Sequence, residues 1–286
     1  MPARELTVAG LPATLTLPER PARGGVVPLH PASDGSRRQL LFEHLTETLV
    51  PCGVAVLAYD RRPSPGGGDV PFEVQAEDAL AALGALRAEA GDVPLGLWAW
   101  SQGAWAASLA ATRSPDTAFL VLLAACGVSP AEQMRYGTAE QLRRRGYGDD
   151  EALRELAELR AALEDAHRDS ARRAEAQAVV DRYADRAWFE LAHVPRRLEE
   201  LGEWCDMDFD PAPVLARVRC PVLLFYGEED EWTPVEPSLA AWERSGADVT
   251  VVRLPGTDHA PTLGGAISPD YTAALATWVD LRLRSR

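Results

Sequence analysis

The chain has 286 residues, 47% of them hydrophobic and 25% charged, a composition that suits a globular protein with a sizeable core. A formal charge of −14 argues against nucleic acid and anionic membrane surfaces as partners, because both need basic patches. The N-terminus has no basic head followed by an apolar run, and no apolar stretch nears the ~20 residues that cross a bilayer, so a cytoplasmic location is expected.

In chain order, residues 14–17 alternate in polarity and predict an early edge strand. Residues 25–29 and 53–58 are short, continuous apolar runs, as for strands buried on both faces. Between them, residues 37–50 carry apolar side chains at helical spacing. A second helix is predicted over residues 72–90, opened by Pro71 and stopped by Gly91. A strand ending at Trp100, a helix after Ser101 and an apolar run over residues 119–125 continue the β-α-β-α order of a parallel sheet. The rhythm breaks at residues 129–204, which are rich in Arg, Glu and Ala; residues 149–183 read as almost wholly helical. Strand signals return at residues 222–226 and 249–254, and a helix is predicted over residues 269–283.

The expectation is therefore one α/β core, residues 1–126 and 213–286, with a helical lid at residues 127–212. Loops at the carboxyl ends of parallel strands surround the ligand crevice, which favours the lid. A solvated helical hairpin or a homodimer contact is the alternative role for the insertion. The four cysteines, Cys52, Cys126, Cys205 and Cys220, lack the spacing of a zinc site or disulfide framework. No histidine–carboxylate cluster suits a metal. Residues 65–68, Pro-Gly-Gly-Gly, have no Gly-Lys-Ser/Thr behind them, and no dinucleotide fingerprint exists, so no cofactor is expected.

The chemistry concentrates in residues 97–106, Leu-Trp-Ala-Trp-Ser-Gln-Gly-Ala-Trp-Ala. Ser101 lies where an apolar strand gives way to an alanine-rich helix. Such a turn exposes the hydroxyl and leaves the next amide free for an oxyanion, and it demands small neighbours around a strained residue. A serine hydroxyl needs a base, and the base an orienting acid. Of the five histidines, His44 falls in a helical segment, and His167 and His193 fall in the insertion. His30 ends a core strand too early in the chain. His259 follows the last predicted strand, the position that the Ser…Asp…His order requires. Asp230, after Gly227 in the loop that follows a strand, is the preferred acid; Asp258 is its rival. The second oxyanion donor, beside the Gln102 amide, should come from the loop after His30, where Pro31 has no N–H but Ala32 has one.

Together these segments resemble the lidded bacterial α/β-hydrolases of the esterase and prolyl-oligopeptidase-like group. That group carries a His-Gly loop, a Tyr-Asp-x-Arg-Gly stretch, a Gly-His-Ser-Gln-Gly-Gly-Trp elbow and a Gly-x-x-Asp-x-x-x-Pro acid loop. This chain offers His30, Tyr59-Asp60-Arg61-Arg62, Ser101-Gln102-Gly103-Ala104-Trp105, and the run from Gly227 through Asp230 to Pro234. The resemblance implies an α/β-hydrolase fold, a catalytic Ser101, Asp230 and His259, and oxyanion amides at Ala32 and Gln102. Ala99, Ala104, Trp100 and Pro31 depart from the pattern, the last two in ways that reshape the acyl pocket.

The implied activity is cleavage of a small-molecule carboxylic ester or thioester through an acyl-enzyme. Acyl transfer, peptide hydrolysis and carbon–carbon bond hydrolysis use the same residues, and a non-catalytic binding protein on the same fold stands outside that class. Trp100, Trp188, Trp204 and Trp232 are candidates for an apolar substrate pocket, although packing between lid and core would explain the last three equally well. Asp60 is expected to pair with Arg61 or Arg62.

Overall fold

A computed structural model describes residues 3–64 and 69–284; the Pro-Gly-Gly-Gly segment at 65–68 lies outside the described residues. Among these, an eight-stranded sheet runs in the order β1-β2-β4-β3-β5-β6-β7-β8. Its strands are β1 (Ala3–Val8), β2 (Leu11–Thr16), β3 (Gly24–Leu29), β4 (Val54–Tyr59), β5 (Leu95–Trp100), β6 (Thr117–Leu123), β7 (Val222–Gly227) and β8 (Val249–Leu254). β1 pairs antiparallel with β2, and β2 with β4; every later pairing is parallel. The strand expected at the edge is thus one place in from it. β1, mostly exposed and polar, covers β2 and forms the true edge.

Both faces of the central strands are covered, which is why they read as unbroken apolar runs. In β5, Leu97 and Ala99 join one buried cluster while Trp98 joins the other. β6 divides the same way, with Leu120 and Leu122 on one side and Phe119, Val121 and Leu123 on the other. The first cluster packs on α2 (Phe72–Ala90) and α3 (Gly103–Arg113), the second on α1 (Leu40–Leu49) and a C-terminal helix, residues 269–284. α2 has the bounds its signals predict, with the Gly91 amide closing it on the Arg87 carbonyl at φ 77°.

Between β6 and β7 come α4 (Pro130–Arg144), α5 (Asp150–Arg168), α6 (Arg173–Tyr183) and α7 (Ala212–Leu215), followed after β7 by α8 (Val235–Ser245); the C-terminal helix is α9 (Pro269–Arg284). Ser129 opens α4 with a capping box to Glu132, and Asp149 caps α5 through two amides. The long helical stretch breaks at Asp169, whose extended backbone caps a short turn instead of continuing α5. Leu156, Leu159 and Leu163 of α5 meet Ala176, Val180 and Tyr183 of α6 in a third apolar cluster, separate from the two that sandwich the sheet. A hairpin over Thr262–Leu263 and Ala266–Ile267 has no counterpart in the apolar periodicity, because its strands are two residues long.

The order β4-β3-β5 reverses the direction of winding at β3, so the chain ends of β3 and β5 open a crevice between them. Behind it, fully buried Trp98 donates its indole N–H to the Tyr271 hydroxyl at 3.0 Å, joining β5 to α9. Tyr271→Phe should leave that N–H unsatisfied and cost about 1–3 kcal/mol. Urea unfolding measures it, and an unchanged unfolding midpoint would contradict the coupling.

Candidate active site

Ser101 follows the last residue of β5, and its backbone lies in the left-handed region at φ 53°. An L-residue is strained there, typically by about 1–3 kcal/mol. Backbone bonds hold it on both sides: its amide donates to the Leu123 carbonyl at 2.9 Å, and its carbonyl accepts from the Ala104 amide at 2.9 Å. The next turn presses α3 against the end of β3. A Cβ on Gly103 would lie 2.6 Å from the His30 carbonyl oxygen and 3.0 Å from Leu29 backbone, so only glycine fits. Ala99 and Ala104, by contrast, are buried methyls in the core beside the turn, and the departure from glycine at those positions is accommodated.

The structure brings Ser101, His259 and Asp230 together. His259 Nε2 lies 2.9 Å from Ser101 Oγ, and its Nδ1 lies 3.1 Å from each Asp230 oxygen. Asp230 sits in the loop after β7, with the amides of Trp232 and Thr233 donating to Oδ1 at 2.7 and 3.0 Å. Burial pushes its carboxyl up, but the His259 hydrogen bond and charge and those two amides outweigh it, so the net shift is below the usual carboxylate range. The acid and base loops touch directly: the Glu229 backbone amide donates to the Thr257 carbonyl at 2.9 Å, and a Cβ on Gly227 would come within 2.1 Å of the Asp258 carbonyl. Asp258, the rival acid, turns to its own loop and accepts from the Ala260 amide at 3.0 Å.

Trp100 does more than face a pocket. Its indole N–H donates to the His259 carbonyl at 3.0 Å, tethering the base loop to β5. The four tryptophans do not form one pocket. Trp188 is buried in the third apolar cluster beside Tyr183, where it serves the packing of the insertion. Trp232 packs on Gly137 and stands 5.0 Å, ring to ring, from His193, while Trp204 meets His167 at 5.5 Å. His44 is engaged with Thr272 at 3.0 Å.

The expected ion pair of Asp60 with its neighbours is not formed. Asp60 pairs with Arg37 at 2.5 Å, and Arg62 with Asp78 at 2.7 Å. Arg61 is thereby free for another task that sequence reasoning missed. Its guanidinium donates to the Pro31 carbonyl at 2.6 Å and to the Ala32 carbonyl at 3.0 Å, and reaches Gln102 Oε1 at 3.5 Å. A trans peptide points its N–H opposite to its C=O, and no cis bond occurs among the described residues. Holding the Pro31 oxygen therefore fixes the direction of the Ala32 N–H, away from Arg61. Beneath this loop His30 is buried against Phe42 and Tyr59, and burial, aided by Arg61, lowers its pKa to about 4, so it is neutral.

Among the described residues, no cluster of His, Cys, Asp and Glu is arranged to hold a metal ion, and no helix is long and apolar enough to cross a membrane. All four cysteines are free thiols.

Arg61→Ala should free the 31–35 loop. Two hydrogen bonds from a charged donor are worth on the order of 1.5–3 kcal/mol each. Amide exchange of residues 32–35 should accelerate at least about tenfold, with Arg61→Lys restoring part of the protection. Unchanged exchange would show that the loop holds itself.

A family model described as the alpha/beta hydrolase family matches residues 29–275. No curated protein matches the chain in sequence. Among solved structures, Est1E from Butyrivibrio proteoclasticus is 18% identical over 98% of both chains, with a TM-score of 0.60. Proline iminopeptidase of Mycobacterium smegmatis is 19% identical over 99% of both chains at a TM-score of 0.60. A thermostable carboxyl esterase from Bacillus coagulans is 16% identical over 99% of both, at 0.62. At such identities the likeness speaks for the fold. With the family model spanning most of the sequence, the chain belongs to the alpha/beta hydrolase family, and is a hydrolase.

Proposed function

We propose that the protein is a serine hydrolase that cleaves a carboxylic ester or thioester through a covalent acyl-enzyme. The observation that carries this reading is the continuous hydrogen-bonded line from Ser101 Oγ through both ring nitrogens of His259 to the buried Asp230 carboxylate. In the reaction, His259 Nε2 accepts the Ser101 proton as Oγ attacks the acyl carbon, then returns it to the leaving alcohol or thiol. Water adds to the acyl-enzyme by the same exchange in reverse, releasing the acid and restoring the serine. Asp230 keeps the Nδ1–H tautomer and stabilises the imidazolium. The amides of Gln102 and Ala32 receive the oxyanion, each worth on the order of 3 kcal/mol by analogy with other acyl-transfer sites.

The insertion is read as a lid on this site, over residues 127–212. In support, Arg144 donates to the Glu229 carbonyl at 2.7 Å, Arg145 pairs with Glu231 at 3.2 Å, and Gly137 packs on Trp232, all in the acid loop. The partner is a small-molecule acyl compound. Peptidase activity is the second reading, because the same serine, histidine and aspartate would open an amide through the same acyl-enzyme.

A fluorophosphonate probe should label Ser101 in the wild type and leave Ser101→Ala unmodified. His259→Ala should lower kcat on a short p-nitrophenyl ester by about 10⁴-fold or more. Folded protein that neither takes the label nor turns over any acyl ester, thioester or aminoacyl arylamide would instead indicate a binding protein on this fold.

A further inference from the structure

Gly137 stands in the interior of α4, where glycine weakens a helix relative to alanine. No positive φ requires it there. Space does. A Cβ at 137 would lie 2.5 Å from Trp232 Cε3, 3.2 Å from Cζ3 and 3.4 Å from the Trp232 Cα, so α4 bears on both the ring and the backbone of that residue. The helix gives up stability of its own for a close approach to the acid loop.

The same helix grips the loop on both sides of Asp230. Arg144 donates to the Glu229 carbonyl at 2.7 Å, and Arg145 pairs with Glu231 at 3.2 Å. From another side the Trp232 ring meets His193 at 5.0 Å, and His193 Nε2 lies 3.3 Å from Oε1 of buried Gln141, again on α4. The chain that leads into α4 is itself pinned. The Gly127 amide donates to Ser238 Oγ of α8 at 3.0 Å, and a Cβ on Gly127 would lie 2.7 Å from the Ser238 Cα. The helix therefore spans from α8, which follows the acid loop, back to the loop itself.

What the loop carries is the carboxylate. The Trp232 amide donates to Asp230 Oδ1 at 2.7 Å, shorter than the 3.1 Å contacts between that carboxylate and His259 Nδ1. An oxygen held so closely follows the amide that holds it. A shift of the Trp232 backbone would draw the carboxylate off the imidazole, and a misplacement near 1 Å can cost about 10²-fold in rate.

We propose that α4 buttresses the acid of the triad: Gly137 and Trp232 are positioning residues that set the Asp230 carboxylate against His259. The inference rests on the serine-hydrolase reading and deepens it. The first helix of the insertion then belongs to the acyl-transfer machinery and is the fixed root of the lid.

Gly137→Ala tests this with two readouts: kcat and KM on a p-nitrophenyl ester, and the low-field proton resonance of His259 Nδ1–H. The variant should lose at least about tenfold in kcat with little change in KM, and its resonance should move or vanish. In a Trp232→Leu background, where the ring is gone, the same substitution should change kcat by less than about twofold. Should the alanine variant fail to fold, replacing the exposed pair, Arg144→Met with Arg145→Met, should still lower kcat by about threefold and move the resonance. Wild-type kcat and resonance in Gly137→Ala, or in the arginine pair, would overturn the proposal. So would a loss confined to KM, or an equal loss with and without the Trp232 ring. The resonance needs no substrate: if it responds to Gly137→Ala in a protein that hydrolyses no ester, the hydrolase reading falls and the buttress stands.

Discussion

The passage from β5 to α3 takes place at Ser101, with its backbone at φ 53°, and every other part of the site is arranged around that turn. A left-handed serine persists only where the surroundings over-determine it. Here the constraint is threefold: a parallel neighbour strand takes the Ser101 amide, the first turn of α3 takes its carbonyl, and backbone of β3 presses on Gly103. The same contact that makes a side chain at 103 impossible sets α3 beside the residues that follow β3. Candidate nucleophile and candidate oxyanion loop are therefore positioned by one packing event.

Much of this was legible in the sequence. The apolar runs of β3, β4 and β7 mark strands buried on both faces, the spacing after Pro71 gives α2, and the loss of strand signal after Cys126 gives the insertion. Three residues nearly 160 positions apart, Ser101, Asp230 and His259, could be named because each follows a strand, and a parallel sheet delivers all such positions to one end. The reading of Arg61 failed for a related reason. Asp60 and Arg62 look like its natural company, yet local charge adjacency does not decide pairing when side chains alternate along an extended chain. β4 lies next to β3 in the sheet, so Arg61, two residues past its end, meets the loop after β3, and only the strand order reveals that.

The tryptophans show a different limit. An indole is large enough to satisfy several environments, and the sequence does not separate them. Trp188 packs the insertion, Trp98 ties β5 to α9, and Trp100 holds the backbone of the candidate base. Beside the apolar stripe of α5, Arg160 and Glu164 are buried and His167 is half-buried, an arrangement that helical spacing alone does not separate from a solvated face. The insertion thus presents leucines to α6 and charge to its other interior side. On the proposed reading, the core supplies the acyl-transfer chemistry and the insertion decides which acyl groups reach it.

The central claim is that the Ser101 hydroxyl becomes the acyl carrier. The sequence contains no lysine, the usual site of stray acylation, so the chemistry can be read cleanly. Wild-type protein mixed with p-nitrophenyl acetate, quenched in acid within milliseconds and digested, should carry one acetyl group on the peptide that contains Ser101. An acetyl group found only elsewhere, or a Ser101 peptide that stays unmodified while nitrophenol is released, would contradict the account.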